Sequence, residues 1–111
     1  GAREEAVGVY EGLIRDFPDD QGFYQYAGIA SSLRGDFARA VSFLRRAVEI
    51  APTPTGAFNL AVAYLKGGDE AKAAEAFRSY LRMFPKDEAR NLAQARAELE
   101  RLEKKLGGAP R

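Results

Sequence analysis

Cysteine and histidine are both missing from this chain of 111 residues. The first absence removes disulfides, thiolate metal sites and thiol nucleophiles together. The second removes the commonest general base and the commonest neutral metal ligand. No catalytic centre, metal or cofactor is therefore expected. No apolar run approaches the roughly 18 residues that indicate a membrane span, and the start carries no signal-peptide pattern. An excess of one charge is lacking too. The 17 basic and 16 acidic side chains leave a net charge of +1, too little for a basic field that would gather nucleic acid or anionic lipid. β-Branched residues are sparse and do not alternate, so no strand is expected.

What is present is repetition. Gly35-Asp36-Phe37-Ala38-Arg39-Ala40 returns 33 residues later as Gly68-Asp69-Glu70-Ala71-Lys72-Ala73. Leu44 then aligns with Phe77, and each copy closes on a proline, Pro52 and Pro85. A partial third copy lies upstream, where Ala6, Tyr10 and Pro18 precede Ala40, Leu44 and Pro52 by 34 residues each. Repetition at this period signals stacked units that cannot bury their apolar faces alone. The chain opens in mid-repeat, as an excised fragment would.

Apolar spacing predicts helices over 3–16, 21–34, 37–50, 54–67, 70–83 and 87–106. Asp20, Asp36, Thr53 and Asp69 are placed to cap the second to fifth of these, and Pro54 suits a first helical position. The first helix carries Val7, Tyr10 and Ile14, a face for which no covering helix precedes it in this sequence. That face is expected to be incompletely covered and open to a second copy. The second helix has one face with Tyr24, Ala27, Gly28 and Ser31 and another with Tyr26, Ile29 and Leu33. The fourth has Ala57, Leu60, Ala61 and Tyr64 on one face and Phe58, Val62 and Leu65 on another. The last helix narrows to Leu92, Ala95, Leu99, Leu102 and Leu106 among charged residues. It reads as a cap, with Leu102 and Leu106 in a distal half that could overhang and meet another chain.

The helix–turn–helix unit resembles the tetratricopeptide repeat, of about 34 residues. The second helices carry the likeness best, as Ala40-x3-Leu44 with Pro52 and Ala73-x3-Phe77 with Pro85. The first helices match in part, through Tyr24, Ala27-Gly28 and Ser31, then Ala57, Leu60-Ala61 and Tyr64. The resemblance divides the chain into the second helix of a truncated repeat (2–18), repeats over 21–53 and 54–86, a capping helix (87–106) and a tail (107–111). It implies an all-α, right-handed superhelical solenoid whose first helices line a concave groove that binds peptides or partner helices. Gly28, Ala40, Ala61 and Ala73 fall where two helices of such a unit pass most closely.

Many chaperone-binding members of that family clamp a C-terminal carboxylate with Lys, Asn and Arg. Only Asn59 matches that set here. Gln25, Ile29 and Leu92 replace other members, and Glu88 would repel a carboxylate. The apolar stripe is the stronger signal, and the candidate groove comprises Gln25, Tyr26, Ile29, Phe58, Asn59 and Val62. Leu33 and Leu65 are expected to be structural. The same residues could instead pack between neighbouring helices of the stack. The acid pairs Asp19-Asp20 and Asp87-Glu88 read as helix starts, where the dipole favours them. Arg45-Arg46 and Lys104-Lys105 read as solvated faces, and Gly67-Gly68-Asp69 lacks the Lys-Ser or Lys-Thr of a phosphate loop. The expected function is non-catalytic binding of a protein or peptide, as a scaffold or adaptor. Self-assembly through the first and last helices is the alternative.

Overall fold

The two Gly-Asp pairs make the same turn. Gly35 (φ +82°) and Gly68 (φ +90°) occupy the left-handed region that a side chain disfavours. The N–H of Asp36 donates to the Ser31 carbonyl at 2.9 Å, and that of Asp69 to the Tyr64 carbonyl at 3.0 Å. Each aspartate then starts the next helix, accepting from the N–H of Arg39 at 3.2 Å and of Lys72 at 3.1 Å. Stop and start signals thus occupy adjacent residues, which folds each helix pair into a hairpin.

The computed structural model describes residues 2–107, with six helices and no strand among the described residues. They are α1 (Ala2–Asp16), α2 (Gln21–Leu33), α3 (Phe37–Ile50), α4 (Pro54–Lys66), α5 (Glu70–Met83) and α6 (Ala89–Lys105). Consecutive helices pack in order along the stack, and α2 also reaches α4, whereas α3 and α5 make no comparable contact. The first helices of the pairs therefore lie on the inner side and the second helices on the outer. α2, α4 and α6 each end one residue early because Arg34, Gly67 and Leu106 serve as C-caps. The expected tail lies outside the described residues beyond Gly107.

The core is built largely from alanine packed against a few large residues. Ala57, Ala61, Ala73, Phe77 and Tyr80 form one buried cluster with Leu92, Ala95 and Leu102. Ala40, Leu44 and Ala63 form a second, joined by Val41 and Leu60. Small residues let the helices approach, and the large ones fill the space that remains.

Three expectations are corrected. Val7 does not belong to an open face: α2 packs on α1, and Val7 is buried. The open side lies further round the helix, where Val9 (61% exposed) and Phe17 (55%) stand in solvent and Tyr10 and Leu13 are half-buried. Leu102 does not overhang, because it is fully buried in the larger cluster. The salt bridges Arg78–Glu103 (3.2 Å) and Lys105–Glu70 (2.9 Å) tie the distal half of α6 to α5. Finally, α6 starts at Ala89 rather than at residue 87. Its N-cap is Glu88, which makes no side-chain cap bond, and the Asp87 carboxylate accepts a hydrogen bond from the Tyr80 hydroxyl.

Candidate functional site

On α2 the positions turned into the stack are consumed by packing. Ala27, Gly28, Ala30 and Ser31 are buried, and Gly28 lies directly against Leu44. The remaining side carries Tyr26, Ile29 and Leu33 at i, i+3 and i+7 spacing. Tyr26 is 52% exposed and Leu33 56%, with Ile29 half-buried between them. Leu33 was expected to be structural, yet more than half of its surface faces solvent. The Tyr26 ring meets that of Tyr10 with centroids 5.7 Å apart, which carries the apolar strip onto α1. Tyr10 did not figure among the candidates. It was expected instead on the incompletely covered face of the first helix, and it is half-buried.

The equivalent places on α4, 33 residues on, hold Asn59 and Val62. Val62 is half-buried and touches the larger cluster. The Asn59 side-chain amide donates from Nδ2 to the Thr55 carbonyl at 2.9 Å. Phe58 lies elsewhere. Its ring packs edge-on to Tyr80 (5.3 Å between centroids) and Phe77 (6.3 Å), which ties α4 to α5. Leu65, as expected, packs on the same cluster. Gln25 stands where Phe58 stands in the next unit, and faces the start of α4. Its Oε1 accepts from Gln21 Nε2 at 2.6 Å and from Thr53 Oγ1 at 2.7 Å. A side chain at Gly56 would begin 3.0 Å from that oxygen. Thr53 was legible as an N-cap, but its second role as a donor to Gln25 was not.

The six candidates therefore form two rows. Tyr26, Ile29, Asn59 and Val62 make an uncharged outer row on the inner helices, and Gln25 and Phe58 make a row beneath it that joins each helix to the next. None is an acidic or basic residue. Charge enters at the far end, where Tyr80 and Asp87 are paired. Burial first, and then the bond to Asp87, hold the Tyr80 phenol well above its ordinary pKa, while that bond holds the Asp87 carboxyl below its own. This pair ties α5 to the start of α6. Among the described residues no cluster of acidic side chains is arranged to hold a metal ion, and no helix is long and apolar enough to cross a membrane.

Two family models, both described as tetratricopeptide repeat, match residues 31–97 and 1–55. The first alone spans more than half of the sequence. The chain belongs to the tetratricopeptide repeat family. A crystal structure of a thermophilic TPR protein in Thermus thermophilus superposes with a TM-score of 0.75 at 25% identity. The match covers 87% of this chain and 50% of that one, so the chain spans about half the length of that relative. No curated protein matches the sequence. TPR repeats are generally non-catalytic modules of protein–protein interaction, and TPR domains bind protein partners.

Proposed function

We propose that this TPR domain is a scaffold or adaptor that binds a protein segment along the inner row Tyr26, Ile29, Asn59 and Val62. The observation that carries the reading is the apolar strip on α2. Tyr26 and Leu33 keep more than half their surface in water, although α2 has alanine, glycine and serine to spare for its packing faces. A contiguous exposed apolar strip with little charge is the usual mark of a docking surface. The chain's lack of cysteine provides a clean test. Single cysteines at Ile29, Val62 and Arg45 of this chain are each coupled to a benzophenone and irradiated with cell extract. The groove positions should cross-link to the same partner, and the Arg45 position on the outer helix should not. Equal yields from all three would remove the groove.

Self-association through α1 is a second reading, favoured by one observation. Ala40, Leu44 and Ala47 lie buried beneath α2, and Ala73, Phe77 and Tyr80 are buried beneath α4. The corresponding residues of α1, Ala6, Tyr10 and Leu13, are only half-buried. A second chain that lays a helix there would complete the pattern. An end-to-end join through the leucines of α6 has less support, because α5 already covers Leu102.

A further inference from the structure

The two ends of the stack differ in charge. Residues 1–20, which hold α1 and the turn after it, have six acidic and two basic side chains, whereas α6 has five basic and three acidic ones. Helices pack chiefly on their neighbours in sequence, so α1 and α6 lie at opposite ends of a body 45 Å long. The exposed faces at these ends differ as well. α1 keeps Val9 and Phe17 in solvent and Tyr10 and Leu13 half-buried. Exposed Glu5 and Asp16 fall beside Val9 and Leu13 at helical spacing. On α6, Leu102 is turned into the core. Arg90, Ala93, Ala97, Arg101 and Lys104 recur at i, i+3, i+7, i+11 and i+14 on the opposite face, and all five are exposed.

We infer that the open side of α1 seats α6 of a second copy, through Ala93 and Ala97, with the basic residues of that helix beside Glu5 and Asp16. The inference rests on the self-association reading and names what α1 takes. Within the chain, first helices meet second helices with small residues against large ones. Gly28 lies on Leu44, and Ala57 and Ala61 share a cluster with Phe77 and Tyr80. Ala93 and Ala97 stand 33 residues after Leu60 and Tyr64, which line one cavity with Ala76 and Ser79 of α5. α6 therefore presents its alanines where the second helix of a pair would lie, and α1 presents Tyr10 and Leu13 where a first helix would lie. Opposite charge at the two ends favours this join over α1 against α1, which would bring like charges together. The two surfaces are different, so each copy in a pair keeps one free end. Growth then stays open instead of stopping at a dimer.

Sedimentation velocity of two complementary variants provides the test. The unmodified chain should show a mean mass that rises with concentration past that of a dimer, and added salt should weaken the association. Leu13→Glu blocks the α1 end, and Ala97→Glu blocks the α6 end. Each variant alone should associate at least about tenfold more weakly than the unmodified chain, with unchanged circular dichroism. Val9→Glu, at a position already exposed, is a second α1 variant that leaves the internal packing intact. An equimolar mixture of Leu13→Glu and Ala97→Glu retains one intact end of each kind, and should form a one-to-one dimer and nothing larger. An Ala97→Glu that associates as the unmodified chain does would overturn α6 as the occupant, while self-association through α1 survived. A mixture that stays monomeric where the unmodified chain associates would overturn the pairing of α1 with α6. A concentration-independent monomer of the unmodified chain would remove the inference and the self-association reading together.

Discussion

Gly28 and Leu44 are in such close contact that a methyl group on the glycine would stand 2.4 Å from Leu44 Cγ. That contact sets the separation of α2 and α3, and both residues are buried. Gly28→Ala should therefore lower stability by about 1–3 kcal/mol through overpacking. Gly8 provides the contrast, since its added methyl would meet nothing within 4 Å. Gly8→Ala in the middle of α1 should raise stability by roughly 0.5–1 kcal/mol. Thermal midpoints shifted in the same direction would contradict the packing described.

Ser31 lies one turn further along the same face. Its hydroxyl is buried and has no hydrogen-bond partner among the described residues. Burial of an unmatched donor costs about 1 kcal/mol or more, so Ser31→Ala should leave stability unchanged or raise it. A fall of more than about 1 kcal/mol in urea unfolding would show that the hydroxyl has a partner.

The Tyr80–Asp87 bond implies a pH dependence with two limbs. Asp87 has its folded pKa depressed from 3.8, so its contribution is complete above that value and is lost as pH falls below it. Tyr80 has its folded pKa raised from 10.0, so its contribution is complete below that value and declines as pH rises beyond it. Stability should stay level through neutral pH and fall at both extremes. Tyr80→Phe should lower the plateau and flatten both limbs. Ultraviolet titration should also find one of the five tyrosines ionising after the others.

The repeat itself was open to reading because its signals are local. Gly35-Asp36 and Gly68-Asp69 each place a left-handed residue next to a cap, and no distant contact is needed to interpret them. Val7, Phe58 and Gln25 were harder. Each lies one or two positions round a helix from a residue with a different role, and the side that faces a neighbour depends on the angle at which the helices stack. Phe58 looked like a groove anchor because it shares a stripe with Val62. Its ring packs on Tyr80 and Phe77, at the place that Gln25 holds one unit earlier, so two equivalent places hold an aromatic ring and an amide. The Tyr80–Asp87 bond joins residues on either side of the turn at Pro85, and aspartate near a helix start suggested a cap first.

If the open side of α1 seats another chain, association should depend on concentration and on Leu13. Sedimentation velocity should show a larger species at high concentration, and Leu13→Glu should abolish it without loss of helicity. A concentration-independent monomer across the micromolar to millimolar range would set the self-association reading aside.

The most direct test of the groove is the affinity of the cross-linked partner for Ile29→Asp and Val62→Asp, with Arg45→Asp as the outer-face control. Burial of an isoleucine or valine side chain contributes about 1.5–3 kcal/mol, and a carboxylate placed there must also lose water. By titration calorimetry, each groove variant should bind at least about tenfold more weakly while its circular dichroism stays that of the parent. Arg45→Asp should bind as the parent does. A folded Ile29→Asp with full affinity, alongside an Arg45→Asp that has lost it, would contradict the account and move the site to the outer helices.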